Sequence, residues 1–236
     1  MNKIGEGLTF YVVFLFSTTL HEAAHAWAAK LGGDLTAYHG GQVTLDPIPH
    51  IRREPFGMVL LPLLTALSIG FPIGFASAPY DPQWAQRYPR RSAWMALAGP
   101  AANLILMLIA GIAIRVGDMV GVFGPPNTIS FGHIVGTPGV DGGAWTAIAF
   151  FLGTMFSMNL LLAAFNLLPF PPMDGSAAIP LLVGDEKGRV WQNLIWRTPA
   201  LNFVGYFLAW QVFGYIFSPL FNGSLAILYP GVTYGG

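Results

Sequence analysis

Long apolar stretches separated by short polar segments dominate the hydrophobic pattern of this chain. A helix that crosses a hydrocarbon core about 30 Å thick needs about 20 mostly apolar residues. Four stretches meet this requirement, and we expect each to form a membrane-spanning helix: residues 8–31, 93–114, 144–168 and 201–228. Gly32 and Gly33 are placed to end the first helix, whereas Pro219 and Asn222 introduce a potential break in the last.

A fifth apolar stretch, residues 57–78, is interrupted. Its helical part, about residues 57–69, is too short to cross a bilayer, and Gly70-Phe71-Pro72-Ile73-Gly74 follows as a break. Non-helical backbone at membrane depth must be shielded by protein or line a cavity. The pattern therefore permits a segment that enters the membrane and returns without crossing it.

The placement of the basic residues favours this re-entrant course. Nine of the eleven Lys and Arg residues lie in three segments next to the apolar stretches: Lys30, Arg52, Arg53, Arg87, Arg90, Arg91, Lys187, Arg189 and Arg197. All three segments fall on one side of the membrane only if residues 57–78 return to their starting side. The positive-inside rule then identifies that side as the cytoplasm.

The composition agrees with a membrane protein. Hydrophobic residues make up 54% of the 236 residues and charged residues only 9%, whereas about a quarter of the residues in soluble domains are charged. Eleven basic and eleven acidic residues balance, which leaves no basic face for nucleic acid. The absence of cysteine excludes disulfides, iron–sulfur clusters and cysteine-ligated zinc.

The first apolar stretch contains the sequence His21-Glu22-Ala23-Ala24-His25, which matches the metal-binding pattern H-E-x-x-H. On a helix both imidazoles share one face and can reach one ion, and Glu22 can contact a metal-bound water. Ionisable residues inside a span are costly and usually functional. They also argue against a cleavable secretory signal. The alternative is a polar cluster that only hydrogen-bonds neighbouring helices.

A catalytic zinc site needs a third protein ligand beside a water molecule. The candidate is Asp174, which follows a proline-rich stretch after the third span. Proline ends a helix, so the chain after the third span is expected to be extended at Pro169, Pro171 and Pro172. Gly175 then permits a tight turn. Alone, Asp174 would be interpreted as a turn residue, but its pairing with the histidine motif favours a ligand.

Three motifs together carry a resemblance to a known family: His21-Glu22-Ala23-Ala24-His25, Gly99-Pro100-Ala101-Ala102-Asn103 and Asn166-x-x-Pro169-x-x-x-x-Asp174-Gly175. In this order they resemble the site-2 protease family of intramembrane zinc metalloproteases, over about residues 8–179. The stretch between the first two motifs is longer than in the family, and the PDZ or CBS domains of some relatives are absent from this sequence.

The resemblance implies a three-helix catalytic core that cuts transmembrane segments of membrane-protein substrates near the cytoplasmic side. His21, His25 and Asp174 would bind one Zn²⁺ per chain, and Glu22 would be the catalytic acid and base. Asn166 would lie near the reacting carbonyl or help to position the substrate. Zinc with the Asn166 amide would then stabilise the oxyanion.

The expected architecture is one integral membrane domain over residues 1–236, with a catalytic core at about 8–179 and a C-terminal helical region at 180–236. We predict an all-α bundle of about four to six transmembrane helices with a re-entrant segment and a short β-hairpin near the active site. The hairpin rests on Gly41-Gln42-Val43-Thr44-Leu45, which alternates polar and apolar residues. Its edge would pair with an unwound substrate, or it is a structural cover over the site.

Several polar residues remain open to two interpretations. Ser17, Thr18 and Thr19 either line a path for water or hydrogen-bond between helices. Asn103 is expected to bond a neighbouring helix rather than the site. Three further histidines are expected in solvated loops, namely His39, His50 and His133.

Two other functions fit part of the pattern. A zinc-binding membrane protein without hydrolytic activity, such as a chaperone or adaptor, would not need Glu22 beside the histidines. A metal transporter would use the ligands as a transit site, but no relay of sites across the membrane is evident. The preferred interpretation is a protease in a plasma membrane of prokaryotic type, with the active site toward the cytoplasm and lipid as a further partner.

Overall fold

The computed structural model describes residues 3–139 and 142–232, and most of them are helical. In chain order the helices are α1 (Lys3–Gly32), α2 (Thr36–His39), α3 (Pro47–Arg53), a π-helical turn (Phe56–Leu60), α4 (Leu61–Ile69), α5 (Pro82–Arg87), α6 (Pro89–Met119), α7 (Ala144–Asn166), α8 (Asp174–Ala177), α9 (Pro180–Val183), α10 (Asp185–Arg197) and α11 (Ala200–Leu228). The described residues contain no β-strand beyond a single bridge between Gly124 and Gly136.

Helix α6 packs along both α1 and α7, and these three helices form the core of the molecule. Each contributes a fully buried apolar side chain, namely Val13 from α1, Ile114 from α6 and Met158 from α7. The same interior also contains polar side chains from all three helices: Ser17, His21, Glu22, His25, Asn103, Thr154, Ser157 and Asn159. Burying polar groups costs free energy unless they are hydrogen-bonded or bind a ligand, so this interior is the expected place for a functional site.

Three helices in the described part of the chain are long and apolar enough to cross a membrane, namely α6, α7 and α11. Helix α11 continues through Pro219, so the potential break at Pro219 and Asn222 does not occur. Helix α1 has 30 residues, but its ionisable and hydroxyl side chains lower its mean hydropathy. Its role as a further span stays a prediction.

The segment that follows α3 enters the bundle and returns. After α4 ends at Ile69, the chain runs back in an extended conformation beside the helix it has just left. The amide of Phe75 donates to the carbonyl oxygen of Gly57 (3.0 Å), and the hydroxyl of Ser77 donates to the Glu54 carboxylate (2.7 Å). The two ends of the segment therefore meet, and its re-entry into a membrane stays a prediction.

Contacts between helix ends place the basic segments together. Nη1 of Arg91, in the first turn of α6, donates to the carbonyl oxygen of Gly32 at the end of α1 (3.2 Å). Nε of Arg90 lies 3.4 Å from the Asp185 carboxylate at the start of α10. The end of α1 and the beginnings of α6 and α10 therefore share one end of the bundle.

Residues 41–45 do not form the predicted strand. The amide of Gln42 donates to the carbonyl oxygen of Ala37 (2.9 Å), and the carbonyl oxygen of Thr44 lies 3.1 Å from Nε2 of His50. These backbone groups are satisfied within the connection between α2 and α3, and no strand lies beside them in the described residues. The predicted β-hairpin is therefore not found, because a strand needs a partner that the alternating pattern alone does not supply.

Candidate metal centre

Three side chains from distant parts of the sequence converge between α1 and α8. Nε2 of His21 and Nε2 of His25 lie 2.9 Å apart. Oδ2 of Asp174 lies 3.1 Å from the first nitrogen and 3.4 Å from the second. The structure thus brings together the three residues that the sequence analysis nominated as metal ligands.

Both imidazoles are oriented from behind by oxygen acceptors on α6. Nδ1 of His21 lies 2.6 Å from Oδ1 of Asn103, and Nδ1 of His25 lies 2.8 Å from the carbonyl oxygen of Met95. An acceptor at this position holds the proton on Nδ1 and leaves the Nε2 lone pair facing the other ligand atoms. Asn103 therefore contacts the site itself, contrary to the expectation that it bonds only a neighbouring helix.

This arrangement fits a bound cation. In the forms that bind a metal, a neutral imidazole and an ionised carboxylate, these side chains would present three electron-rich atoms to one point, and a cation would stabilise that arrangement. Two ligand atoms of a tetrahedral zinc ion, each bound at about 2.0–2.1 Å, lie about 3.3 Å apart, which is close to the spacing observed. Oδ2 of Asp174 is buried and has no hydrogen bond in the described residues, so its lone pairs are available to a metal.

Gly99 provides the space beside the ligand atoms. A Cβ atom at this position would lie 2.4 Å from Nε2 of both His21 and His25, closer than real side chains approach. This position requires a glycine, because any side chain would collide with the two imidazole nitrogens.

Asp174 is held by the packing of the segment between α7 and α8. A Cβ atom on Gly175 would lie 2.2 Å from the carbonyl oxygen of Leu167, so the glycine lets the ligand segment return against the end of α7. Helix α11 supports the same segment from outside, because Gly205 brings its backbone against Pro171. Met173 and Ala209 are buried in this contact.

Glu22 lies beside the ligands but is not one of the three converging residues. Its side chain is buried, and Oε2 has no hydrogen-bond partner in the described part of the chain. The residue lines a cavity of about 520 Å³ that also contains the two histidines and Asp174. A buried carboxylate oxygen without a partner is expected to bind a water or a substrate group in the working protein.

The remaining lining of the cavity comes from several elements. Asn166 lies in it, at the end of α7, and its Nδ2 donates to the carbonyl oxygen of Leu162 (3.0 Å). Residues 74–78 of the extended segment form one wall. Tyr80 and Tyr206 also contribute, although no sequence signal nominated them. Burial raises the pKa of the Tyr80 phenol, which therefore stays protonated at neutral pH.

The three hydroxyl residues before the histidine motif have different surroundings. Thr18 lines the cavity, as the water-path interpretation requires. Ser17 instead accepts a hydrogen bond from Nδ2 of Asn159 (2.9 Å), and the Thr19 hydroxyl donates to the carbonyl oxygen of Leu15 (2.8 Å). The first of these bonds is between helices, and the second lies within α1.

Asn159 is a buried part of the site that sequence reasoning missed. Its Oδ1 accepts from Nδ2 of Asn103 (2.9 Å), and its Nδ2 donates to Ser17 Oγ and to the carbonyl oxygen of Met155 (2.8 Å). These donors and acceptors fix the orientation of both amides, and therefore the oxygen that faces His21. The only sequence signal for this role was the presence of a polar Asn in the interior of an apolar helix.

The other histidines do not belong to the centre. His39 is exposed at the end of α2, and His133 lies 3.7 Å from Glu6 near the start of α1. His50 is buried, contrary to the expectation that it lies in a solvated loop, and bonds the carbonyl oxygen of Thr44. Helix α3 turns it inward.

Comparisons with known proteins agree with this geometry. A family model described as peptidase family M50 matches residues 9–210. YwhC of Bacillus subtilis is 32% identical over 73% of this chain and 68% of its own length. Rip2 of Mycolicibacterium smegmatis is 31% identical over 86% of this chain and 71% of its own, and Rip2 of Mycobacterium tuberculosis is 30% identical over 80% and 66%.

The names of these relatives describe zinc metalloproteases. No solved structure gives a significant match. The family match covers most of the chain, including all three converging residues. The chain therefore belongs to peptidase family M50, the site-2 proteases, and is a membrane metalloprotease of that family.

Proposed function

We propose that this protein is a zinc endopeptidase that hydrolyses peptide bonds in or near the transmembrane segments of other membrane proteins. The observation that carries the proposal is the convergence of His21, His25 and Asp174 beside the unpartnered Oε2 of Glu22. All four lie in one cavity, which the long apolar helices α6 and α7 help to enclose.

His21 and His25 would bind zinc through Nε2, and Asp174 through Oδ2. Zinc bound in this way lowers the pKa of a coordinated water and polarises a carbonyl group. Glu22 accepts the proton of the attacking water at Oε2 and then donates it to the leaving amine nitrogen. General acid–base catalysis of this kind contributes about 10²–10⁴-fold to a rate.

Asn166 is proposed to bind the substrate near the scissile bond. One of its N–H groups is engaged with the carbonyl oxygen of Leu162, which orients the amide within the cavity wall. The second N–H can donate to the substrate carbonyl or to the oxyanion that develops from it. Asn103 and Asn159, by contrast, act only through His21.

The extended segment beside the cavity is suited to bind an unwound substrate. A transmembrane helix hides its peptide bonds in internal hydrogen bonds, so the substrate must unwind before hydrolysis. The amides of Ile73 and Phe75 bond α4 and the π-helical turn, whereas those of Gly74 and Ala76 have no partner in the described residues. This alternation leaves one edge free for β-augmentation, the role first assigned to residues 41–45.

The basic end of the bundle is proposed to face the cytoplasm. Seven residues separate His25 from the end of α1 at Gly32, which corresponds to about 10 Å of helix. The metal centre therefore lies nearer the basic end than the other. By the positive-inside rule the substrate is cut near the cytoplasmic surface.

The decisive experiment replaces Glu22 with Gln in the full chain. Purified Glu22→Gln and parent protein are reconstituted and compared for zinc content and for cleavage of a panel of single-span substrates. We expect the variant to retain one zinc per chain and to lose cleavage by a factor of about 10²–10⁴. Glu6→Gln is the matched control, because Glu6 lies on the same helix near His133 and should leave both measurements unchanged.

Two results would overturn the proposal. Cleavage by zinc-loaded Glu22→Gln at the parent rate would exclude Glu22 as the base. Failure of the parent protein to bind zinc at all would exclude the metal centre. A parent protein that binds zinc but cleaves none of the substrates would favour the non-hydrolytic alternative.

A further inference from the structure

Helix α10 has one face packed against the protein and one face without a partner in the described residues. The packed face carries Gly188, Trp191, Gln192 and Trp196. Gly188 lies against Pro180, and a Cβ atom there would lie 2.7 Å from that ring. Gln192 is buried, and Trp196 packs against the cluster formed by Ala29, Trp84, Ala85 and Met95. This face therefore joins α10 firmly to α9, α5 and α6.

The outer face is a stripe of two apolar residues with a basic residue at each end. Lys187, Val190, Leu194 and Arg197 follow at intervals of three, four and three residues, so they lie along one side of the helix. Val190 and Leu194 are 66% and 48% exposed. Leu182 in α9, which immediately precedes α10, is 88% exposed. Apolar side chains flanked by cations are typical of a helix that lies in a membrane interface.

The connection to α11 fixes where this stripe must be. Helix α10 ends at Arg197, and α11, one of the three helices able to cross a membrane, begins at Ala200. Only Thr198 and Pro199 separate them. If α11 spans the bilayer from its first residues, the last turn of α10 lies at the lipid headgroups.

We propose that α10 is an interfacial helix that binds the surface of an anionic phospholipid bilayer. Val190 and Leu194 insert at the boundary between headgroups and acyl chains. Lys187 and Arg197 extend from the same stripe to lipid phosphates, and the neighbouring exposed Arg189 adds a third cation. The occupant of the stripe is the bilayer in which α11 is embedded.

This placement connects the lipid surface with the metal centre. Nε1 of Trp191, on the packed face, donates to the carbonyl oxygen of Ser176 (2.8 Å). Ser176 lies in α8, whose first residue is Asp174. Lipid binding by α10 does not depend on the proposed proteolysis. It predicts that α8, which begins at Asp174, is held close to the lipid headgroups.

The absence of cysteine makes a direct test of depth possible. Single cysteines replace Leu194 or Val190, and Asp185 serves as a control on the same helix, because it lies three and seven residues before Gly188 and Gln192 of the packed face and therefore outside the stripe. Each is labelled with an environment-sensitive fluorophore in nanodiscs that hold one protein copy in phosphatidylcholine and phosphatidylglycerol. We expect labels at positions 190 and 194 to be quenched severalfold more strongly by headgroup-proximal nitroxide lipids than the label at position 185.

The contribution of charge is tested by changing the lipids and the cations. Nanodiscs of phosphatidylcholine alone should reduce the quenching at position 194, and the double variant Lys187→Gln/Arg197→Gln should abolish the difference between the two lipid mixtures. Arg52→Gln/Arg53→Gln is the matched control and should preserve it. Equal quenching at positions 194 and 185 would overturn the interfacial placement. Quenching that is independent of headgroup charge would overturn the anionic preference.

Discussion

Nδ1 of His21 lies 2.6 Å from Oδ1 of Asn103, which joins a nominated metal ligand on α1 to an amide on α6. The amide cannot rotate freely, because its nitrogen donates to Asn159 on α7. One chain of hydrogen bonds thus crosses all three core helices and ends at a ligand nitrogen. Removal of the hydrogen-bond partner of a ligating imidazole typically lowers the metal affinity about 10- to 100-fold.

The first prediction follows from this chain. Asn159→Leu removes the groups that orient Asn103, and Asn159 is itself neither a candidate ligand nor one of the residues that line the cavity. We expect zinc affinity to fall about 10- to 100-fold, measured by competition with a chelator of known affinity. Ser157→Ala is the control, because its buried hydroxyl lies on the same helix without a partner in the described residues. Unchanged affinity in Asn159→Leu would reject the orienting role.

Gly99→Ala should prevent metal binding while leaving the fold intact. The added methyl group lies against both Nε2 atoms, so it competes with the ion for one position. We expect the purified variant to contain far less than one zinc per chain, with an unchanged circular dichroism spectrum. Gly214→Ala adds the same group on α11 where nothing lies within 4 Å, and it should retain full zinc content. A zinc-replete Gly99→Ala protein would contradict the placement of the ion.

Gly205→Ala should disturb Asp174 from a distance. A Cβ atom on Gly205 would lie 1.6 Å from the carbonyl oxygen of Pro171, so either α11 or the ligand segment must move. The visible spectrum of the cobalt-substituted protein reports ligand geometry, and we expect it to change in this variant but not in Gly214→Ala. Identical spectra in all three proteins would show that α11 does not support the ligand segment.

Metal removal should destabilise the protein, because it leaves His21, His25 and Asp174 with facing lone pairs. Binding to the folded state alone contributes about 2.7 kcal/mol when free zinc is 100 times the dissociation constant. A strong chelator should therefore lower the unfolding temperature of the parent protein, and His25→Ala should remove this effect. His39→Ala, at an exposed position, should respond to the chelator as the parent does. A similar chelator response in His25→Ala would contradict the ligand assignment.

Much of the fold follows from local pattern. The spans at 93–114 and 144–168 correspond to α6 and α7, and the first stretch corresponds to α1, which ends at Gly32 as predicted. A run of about 20 apolar residues leaves the backbone few alternatives to a helix in a bilayer. The strand predicted at residues 41–45 does not form, because a strand needs a hydrogen-bonding partner from another part of the chain.

The approach of His21 to His25 was likewise predictable from sequence, because two histidines at helical spacing share a face wherever the helix lies. What only the tertiary structure decided is which residues surround them. Three of these features depend on contacts with residues more than 15 positions away along the chain. They are the hydrogen bonds of Asn159, the close approach of Gly205 to Pro171, and the backbone edge at Gly74. No local pattern encodes such contacts, since they arise from the packing of helices whose relative placement depends on the whole chain.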